Sequence, residues 1–201
     1  MTVEAPLRPI RLAVAGLGAI GFEIARRVDA GGVEGMALSA VAARDRDKAA
    51  RRLENLAHPP ALLPLAELAD AADVIVECAP ASVFLDIARL ALQRGRVFMP
   101  LSVGVLLDNL DLVELARRSG GRIVVPTGAL LGLDAVRAVA KGTVHGVRMV
   151  TRKPPGGLAG APYLERNAIS LDGLTQAKLL FSGSARDAAK GFPANLNVGA
   201  A

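Results

Sequence analysis

The residues best suited to chemistry lie near the start of the chain, where Gly16-Leu17-Gly18-Ala19-Ile20-Gly21 spaces three glycines as G-x-G-x-x-G. Ile10 to Ala15 before them is an apolar run of strand formers. Ala19 to Ala30 after them carries Ile20, Ile24, Ala25 and Val28 at helical spacing. Between a strand and a helix the three glycines play different parts. Gly16 allows the tight turn, Gly18 lets the backbone approach a pyrophosphate, and Gly21 lets the helix pack closely on the strand. The free N–H groups of the helix start, at Ala19 and Ile20, complete a phosphate cradle. The pattern points to a nicotinamide dinucleotide, NAD or NADP.

Which of the two depends on the end of the second strand, where an acidic residue usually binds the adenosine ribose. The chain reads Val41-Ala42-Ala43-Arg44-Asp45-Arg46 there, with Ala43 at the acid's usual position. A missing carboxylate no longer repels a 2′-phosphate, and the guanidinium of Arg44, with Arg46 beside it, suits one. This favours NADP or both cofactors. A register two residues later would make Asp45 the ribose ligand and favour NAD.

Other reactive side chains are sparse. Cys78 follows a strand at the end where ligands bind, so a thiol nucleophile and a packing role both fit. No neighbouring base would activate the thiol. His58 precedes two prolines in a loop, and His145 lies in a strand-like stretch, where a histidine without a role is expected. No cluster of His, Cys and carboxylates has metal-ligand spacing, so no metal is expected.

The elements that must position these residues alternate. Ala37 to Ala43 reads as a second strand, and Asp45 caps a helix over Arg46 to Leu53. A helix spans Leu65 to Ala71, and Asp73 to Cys78 is a strand. Ser82 caps a helix through Arg94, Arg96 to Pro100 is a strand, Leu110 to Arg118 a helix and Arg122 to Val125 a strand. This α/β order predicts a Rossmann-type doubly wound parallel sheet over residues 1–126. After Pro126 the texture changes. A helix near Asp134 to Lys141, strands over Thr143 to Thr151 and Leu179 to Phe181, and a helix over Ser184 to Gly191 suggest an incomplete α+β second domain over 127–201.

Composition narrows the class. Of 201 residues, 52% are hydrophobic and 3% aromatic, which describes an aliphatic globular interior. The net charge of +5 prompts a search for a nucleic-acid or membrane surface, but basic residues fall in scattered pairs with no aromatic residues between them on which bases could stack. They read as solvated helix faces. The lone cysteine, the absence of a signal-like leader and the lack of a long apolar run point to a cytoplasmic chain without membrane or nucleic-acid partners.

From Asp73 onward the chain resembles the L-aspartate dehydrogenase family. The resemblance rests on Asp73-Val74-Ile75-Val76-Glu77-Cys78-Ala79, Ser102-Val103-Gly104, Pro126-Thr127-Gly128-Ala129-Leu130-Leu131-Gly132-Leu133-Asp134-Ala135 and Thr151-Arg152-Lys153-Pro154-Pro155. It continues in Phe181-Ser182-Gly183-Ser184-Ala185-Arg186 and Phe192-Pro193-Ala194-Asn195-Leu196-Asn197-Val198. It implies NAD(P)-dependent oxidation of L-aspartate to iminosuccinate, linked to NAD biosynthesis, by a homodimer whose second domain carries the substrate. It also implies Ala129 beside the nicotinamide and Asn195, or else Asn197, on the cofactor. Arg152 and Lys153 are chemically suited to the two substrate carboxylates, and a solvated loop pair fits them equally.

The family's active-site histidine is expected beyond Ala201. The chain stops inside what reads as a helix, so a truncated product that binds dinucleotide without normal turnover is expected. Two further functions remain open at this point: another Rossmann dehydrogenase acting on a sugar or semialdehyde, and a non-catalytic cofactor-binding module.

Overall fold

A computed structural model describes residues 8–126 and 132–193. In chain order the elements are β1 (Ile10–Ala15), α1 (Ala19–Asp29), β2 (Met36–Ala42), α2 (Arg46–Leu53), β3 (Ala61–Leu62), α3 (Leu68–Ala71), β4 (Val74–Glu77), α4 (Phe84–Gln93) and β5 (Val97–Pro100). They continue with α5 (Val103–Leu107), α6 (Asp111–Ser119), β6 (Arg122–Ile123), α7 (Leu133–Val139), α8 (Pro162–Arg166) and α9 (Ala185–Gly191).

The six strands form one parallel sheet in the order β3-β2-β1-β4-β5-β6. The order reverses between β1 and β4, and that reversal opens a crevice at the carboxyl ends of the strands. Parallel strands are covered on both faces, so they need continuous apolar runs rather than alternation. Ala13, Val14 and Ala15 of β1 and all of β4 are accordingly buried. Helices cover the sheet with residues at helical spacing: Gly21, Ala25 and Val28 from α1, Phe84, Ile87, Ala88, Ala91 and Leu92 from α4, and Leu112 and Ala116 from α6. The Phe84 ring meets Phe98 of β5 edge to face, with 5.5 Å between centroids.

Local chemistry fixes the helix ends. The Asp45 carboxylate accepts the Lys48 N–H at 2.9 Å, capping α2 as its sequence position suggests. Gly120, at φ 75°, closes α6. The expected cap at Ser82 is not made. A 3₁₀ turn over Ala81–Val83 enters α4 with Val83 at the N-cap, because Pro80 turns the chain before the helix. Ile20, read from spacing as part of the packed stripe of α1, is 63% exposed, and Gly21 occupies the buried position instead.

The chain divides into two compact units. One runs to Ser102 and includes Leu110–Val124; the other comprises Val103–Asn109 and the residues from Val125 onward. In the second unit Ala161, Leu164 and Phe192 form a small core, and Tyr163 packs edge to face on Phe181 at 5.2 Å. Ser184 caps α9 by accepting the Asp187 N–H.

The strands expected over Thr143 to Thr151 and Leu179 to Phe181 are not formed. A strand draws its hydrogen bonds from a neighbouring strand, and no described residue supplies one to either segment. Every residue from Thr143 to Thr151 is exposed, Val147 by 81%. Among the described residues the regular elements of the second unit are therefore helices, joined by long irregular segments. No described helix is long and apolar enough to cross a membrane.

Candidate functional site: a phosphate cradle at the sheet reversal

The loop Gly16 to Gly21 leaves β1 at the reversal point, and its three glycines are glycines for different reasons. Gly16 sits at φ 102°, and a Cβ there would lie 2.6 Å from the Cys78 carbonyl oxygen. A Cβ on Gly21 would lie 2.0 Å from the Gly16 carbonyl oxygen. The chain itself therefore requires both. Gly18 differs: its backbone, φ −73° and ψ −160°, is open to any residue, and a Cβ would meet nothing within 4 Å. Neither conformation nor packing accounts for glycine at 18. The open space leaves room for a ligand to come close to the backbone.

The amides at this point suit an anion. The first bond back into α1 is donated by the Phe22 N–H to the Gly18 carbonyl at 3.0 Å. The N–H groups from Gly18 to Gly21 thus have no acceptor within the helix, and the helix dipole adds partial positive charge. Arg52 of α2 fixes the approach to this cradle. Its guanidinium donates to the Leu17 carbonyl at 2.8 Å and lies 5.0 Å from the Phe22 ring centroid. Because a trans peptide points its C=O and N–H in opposite directions, holding the Leu17 carbonyl toward Arg52 turns the Gly18 N–H the other way. Sequence reasoning missed Arg52, which lies 35 residues along the chain from Leu17.

The end of β2 lies beside the loop, since the Gly16 N–H donates to the Ala42 carbonyl at 2.8 Å. Of the three charged residues that follow, two are occupied: Asp45 caps α2, and Arg46 donates to the Leu62 carbonyl at 2.9 Å. Arg44 is exposed and has no hydrogen-bond or ion-pair partner among the described residues.

Behind the loop, burial pushes the Cys78 thiol up to about 12, and the Glu77 charge adds to the effect. Such a thiol is protonated at neutral pH and fills space under Gly21. His58 is exposed beside Asp29, with 3.4 Å between Nδ1 and Oδ1. His145 is exposed in a segment that is not a strand. Arg152 and Lys153 are both exposed and without partners among the described residues. Ala129, Asn195 and Asn197 lie outside the described residues. Among the described residues no group of three or more His, Cys, Asp or Glu side chains is gathered to hold a metal ion.

The family description "Homoserine dehydrogenase, NAD binding domain" matches residues 16–126, and "Aspartate dehydrogenase, C-terminal" matches residues 134–201. L-aspartate dehydrogenase of Bradyrhizobium diazoefficiens is 54% identical over 201 residues, covering 100% of this chain and 71% of its relative. The chain belongs to the L-aspartate dehydrogenase family. L-aspartate dehydrogenase of Methanocella arvoryzae is 42% identical over 194 residues, covering 94% of this chain and 71% of its own. Among solved structures, aspartate dehydrogenase from Thermotoga maritima superposes with a TM-score of 0.60 at 20% identity, covering 95% of this chain and 71% of that one, which shows a shared fold. Members of this family are oxidoreductases, and the cofactor of this chain is a nicotinamide dinucleotide, NAD or NADP. The open position at Gly18 and the free amides around it fit that group.

Proposed function

We propose that the protein oxidises L-aspartate to iminosuccinate, which water then hydrolyses to oxaloacetate and ammonium, and that it accepts NADP as well as NAD. The observation that carries the substrate is the whole-chain match to L-aspartate dehydrogenases. A bound nicotinamide dinucleotide would supply the acceptor for the hydride that leaves the aspartate Cα, the amine giving up a proton as the C=N bond forms.

The chain's own residues divide the remaining work. The amides of Gly18 to Gly21 bind the pyrophosphate, with Ala19 and the exposed Ile20 beside it, and Arg52 keeps the Leu17–Gly18 peptide turned for that purpose. Arg44 meets a 2′-phosphate. In support, Asp45 and Arg46 are engaged elsewhere and no carboxylate stands at Ala43. Arg152 and Lys153 are the cations assigned to the two substrate carboxylates, Ala129 is assigned to the nicotinamide side and Asn195 to contact with the cofactor. The protein acts as a homodimer in the cytoplasm, a setting supported by its lone, unpaired cysteine. There it supplies iminosuccinate toward NAD biosynthesis.

A substrate panel tests the reading. Reduction of NADP or NAD is followed with L-aspartate, with other amino acids, and with inositols and semialdehydes. Reduction with L-aspartate above all others is expected. Reduction with an inositol or semialdehyde and none with aspartate would overturn the assignment.

A further inference from the structure

Glu77 is the one charged residue buried in full among the described residues, with 0% exposure. It ends β4, next to the sheet reversal. Its Oε1 accepts the Ala79 N–H at 2.9 Å and the Ser102 hydroxyl at 3.1 Å, and its Oε2 accepts the Ser102 N–H at 2.9 Å. All three groups donate, as suits a carboxylate. Burial of a charge costs stability unless it is well paired. Here three donors pair it, and an apolar side chain in its place would leave the Ala79 and Ser102 N–H groups without their acceptor. What these bonds accomplish is to fix the two segments that leave β4 and β5 at their carboxyl ends.

Those segments lie on one side of the cofactor crevice. In this fold the adenosine ribose sits at the end of β2 and the pyrophosphate at the turn after β1. With strand order β2-β1-β4-β5, a dinucleotide running from β2 across β1 brings its nicotinamide half over β4 and β5. We propose that Glu77 is a positioning residue for the nicotinamide half of the site, acting through Ser102. The inference rests on the dinucleotide assignment above and adds a residue outside the glycine loop.

The two oxygens of Glu77 have different partners. Through Oε1 it holds the Cys78–Ala79 peptide, against which Gly16 is pressed, and the Ser102 hydroxyl. Through Oε2 it holds the Ser102 backbone. Glu77→Gln can keep its carbonyl oxygen at the first position, and its NH2 then faces the Ser102 N–H, donor against donor. The substitution thus breaks the bond to the Ser102 backbone, leaving that segment held by its hydroxyl alone, and keeps the support under Gly16.

The test is a pair of equilibrium titrations on the whole chain. One uses NADH or NADPH, whichever the wild type binds more tightly; the other uses the matching adenosine half, ADP or 2′,5′-ADP. Glu77→Gln is expected to weaken the dinucleotide by about tenfold and to change the adenosine half by less than twofold. Ser102→Ala, which removes only the hydroxyl bond, is expected to show the same split at two- to fivefold and decides the matter if Glu77→Gln does not fold. Equal weakening of both ligands would mean a general structural role, and no weakening of the dinucleotide would mean no role in the site; either overturns the proposal. A wild type that binds neither dinucleotide would instead remove the cofactor assignment, and this inference with it.

Discussion

Gly18→Ala separates what the loop does for the fold from what it does for the ligand. On the fold side the new methyl meets nothing within 4 Å, and the backbone at φ −73° and ψ −160° accepts alanine. Glycine is a better N-cap than alanine by roughly 0.5–1 kcal/mol. Alanine recovers about 0.4–1 kcal/mol through a less flexible unfolded chain. The two offset, so Tm is expected to stay within about 4 °C, given roughly 2–4 °C per kcal/mol for a chain of this size. On the ligand side the methyl stands where a phosphate must approach the amides. Loss of one hydrogen bond to a charged oxygen costs about 1.5–3 kcal/mol, which is roughly a 10- to 100-fold rise in Kd. Gly21→Ala is the counterpart. Its Cβ would lie 2.0 Å from the Gly16 carbonyl, so strand and helix must separate, at a cost of about 1–3 kcal/mol or more. Thermal melting and NADP(H) titration of both variants provide the assay. A Gly18→Ala protein with wild-type Kd would refute the reasoning, as would one that melts more than about 10 °C lower.

Other consequences are as direct. Arg44→Ala is expected to weaken NADP by roughly 10-fold or more and NAD by less than twofold, because only NADP carries the 2′-phosphate; equal loss for both would remove the role of Arg44. Cys78→Ser is expected to leave dinucleotide binding unchanged, and the wild-type thiol to resist alkylation at neutral pH until the chain unfolds, in keeping with a thiol raised to about 12. Rapid native-state labelling would contradict this. At the opposite end of the sheet, Asp73 is hydrogen-bonded by the Arg11 guanidinium at 2.9 Å and the Arg11 N–H at 3.0 Å, with Arg8 nearby, and these hold its carboxyl well below the usual range. A lowered folded pKa contributes stability above the unfolded value of about 3.9, and that stability is lost as pH falls toward the folded value. Urea melts across acid pH should therefore show a shallower decline for Asp73→Asn than for wild type, and parallel declines would count against the pairing.

What could be read from the sequence follows from how local each determinant is. The β1 run, the glycine loop and α1 are contiguous, so spacing alone describes them, although what presses on Gly16 is the Cys78–Ala79 peptide at the end of β4. The Asp45 cap spans three residues and was equally legible. The burial of Glu77 was not: the strand expected over Asp73 to Cys78 contains it without saying what it bonds, and its partner Ser102 is 25 residues away. A charged residue closing the otherwise apolar run Val74-Ile75-Val76 was the available signal. Arg52 gave none, since its role depends on how α2 lies against the loop. The apolar stretch from Thr143 to Thr151 shows the converse limit. Composition marks it as a strand, but strand formation depends on a neighbour that composition does not reveal.

The most direct test of hydride transfer from aspartate is isotopic. L-aspartate carrying deuterium at Cα is incubated with the protein and NADP or NAD, and the reduced cofactor is analysed by mass spectrometry. Deuterium on the nicotinamide ring, dependent on Gly18, is the predicted result. Reduced cofactor without deuterium, or deuterium transfer that survives Gly18→Ala undiminished, would contradict it.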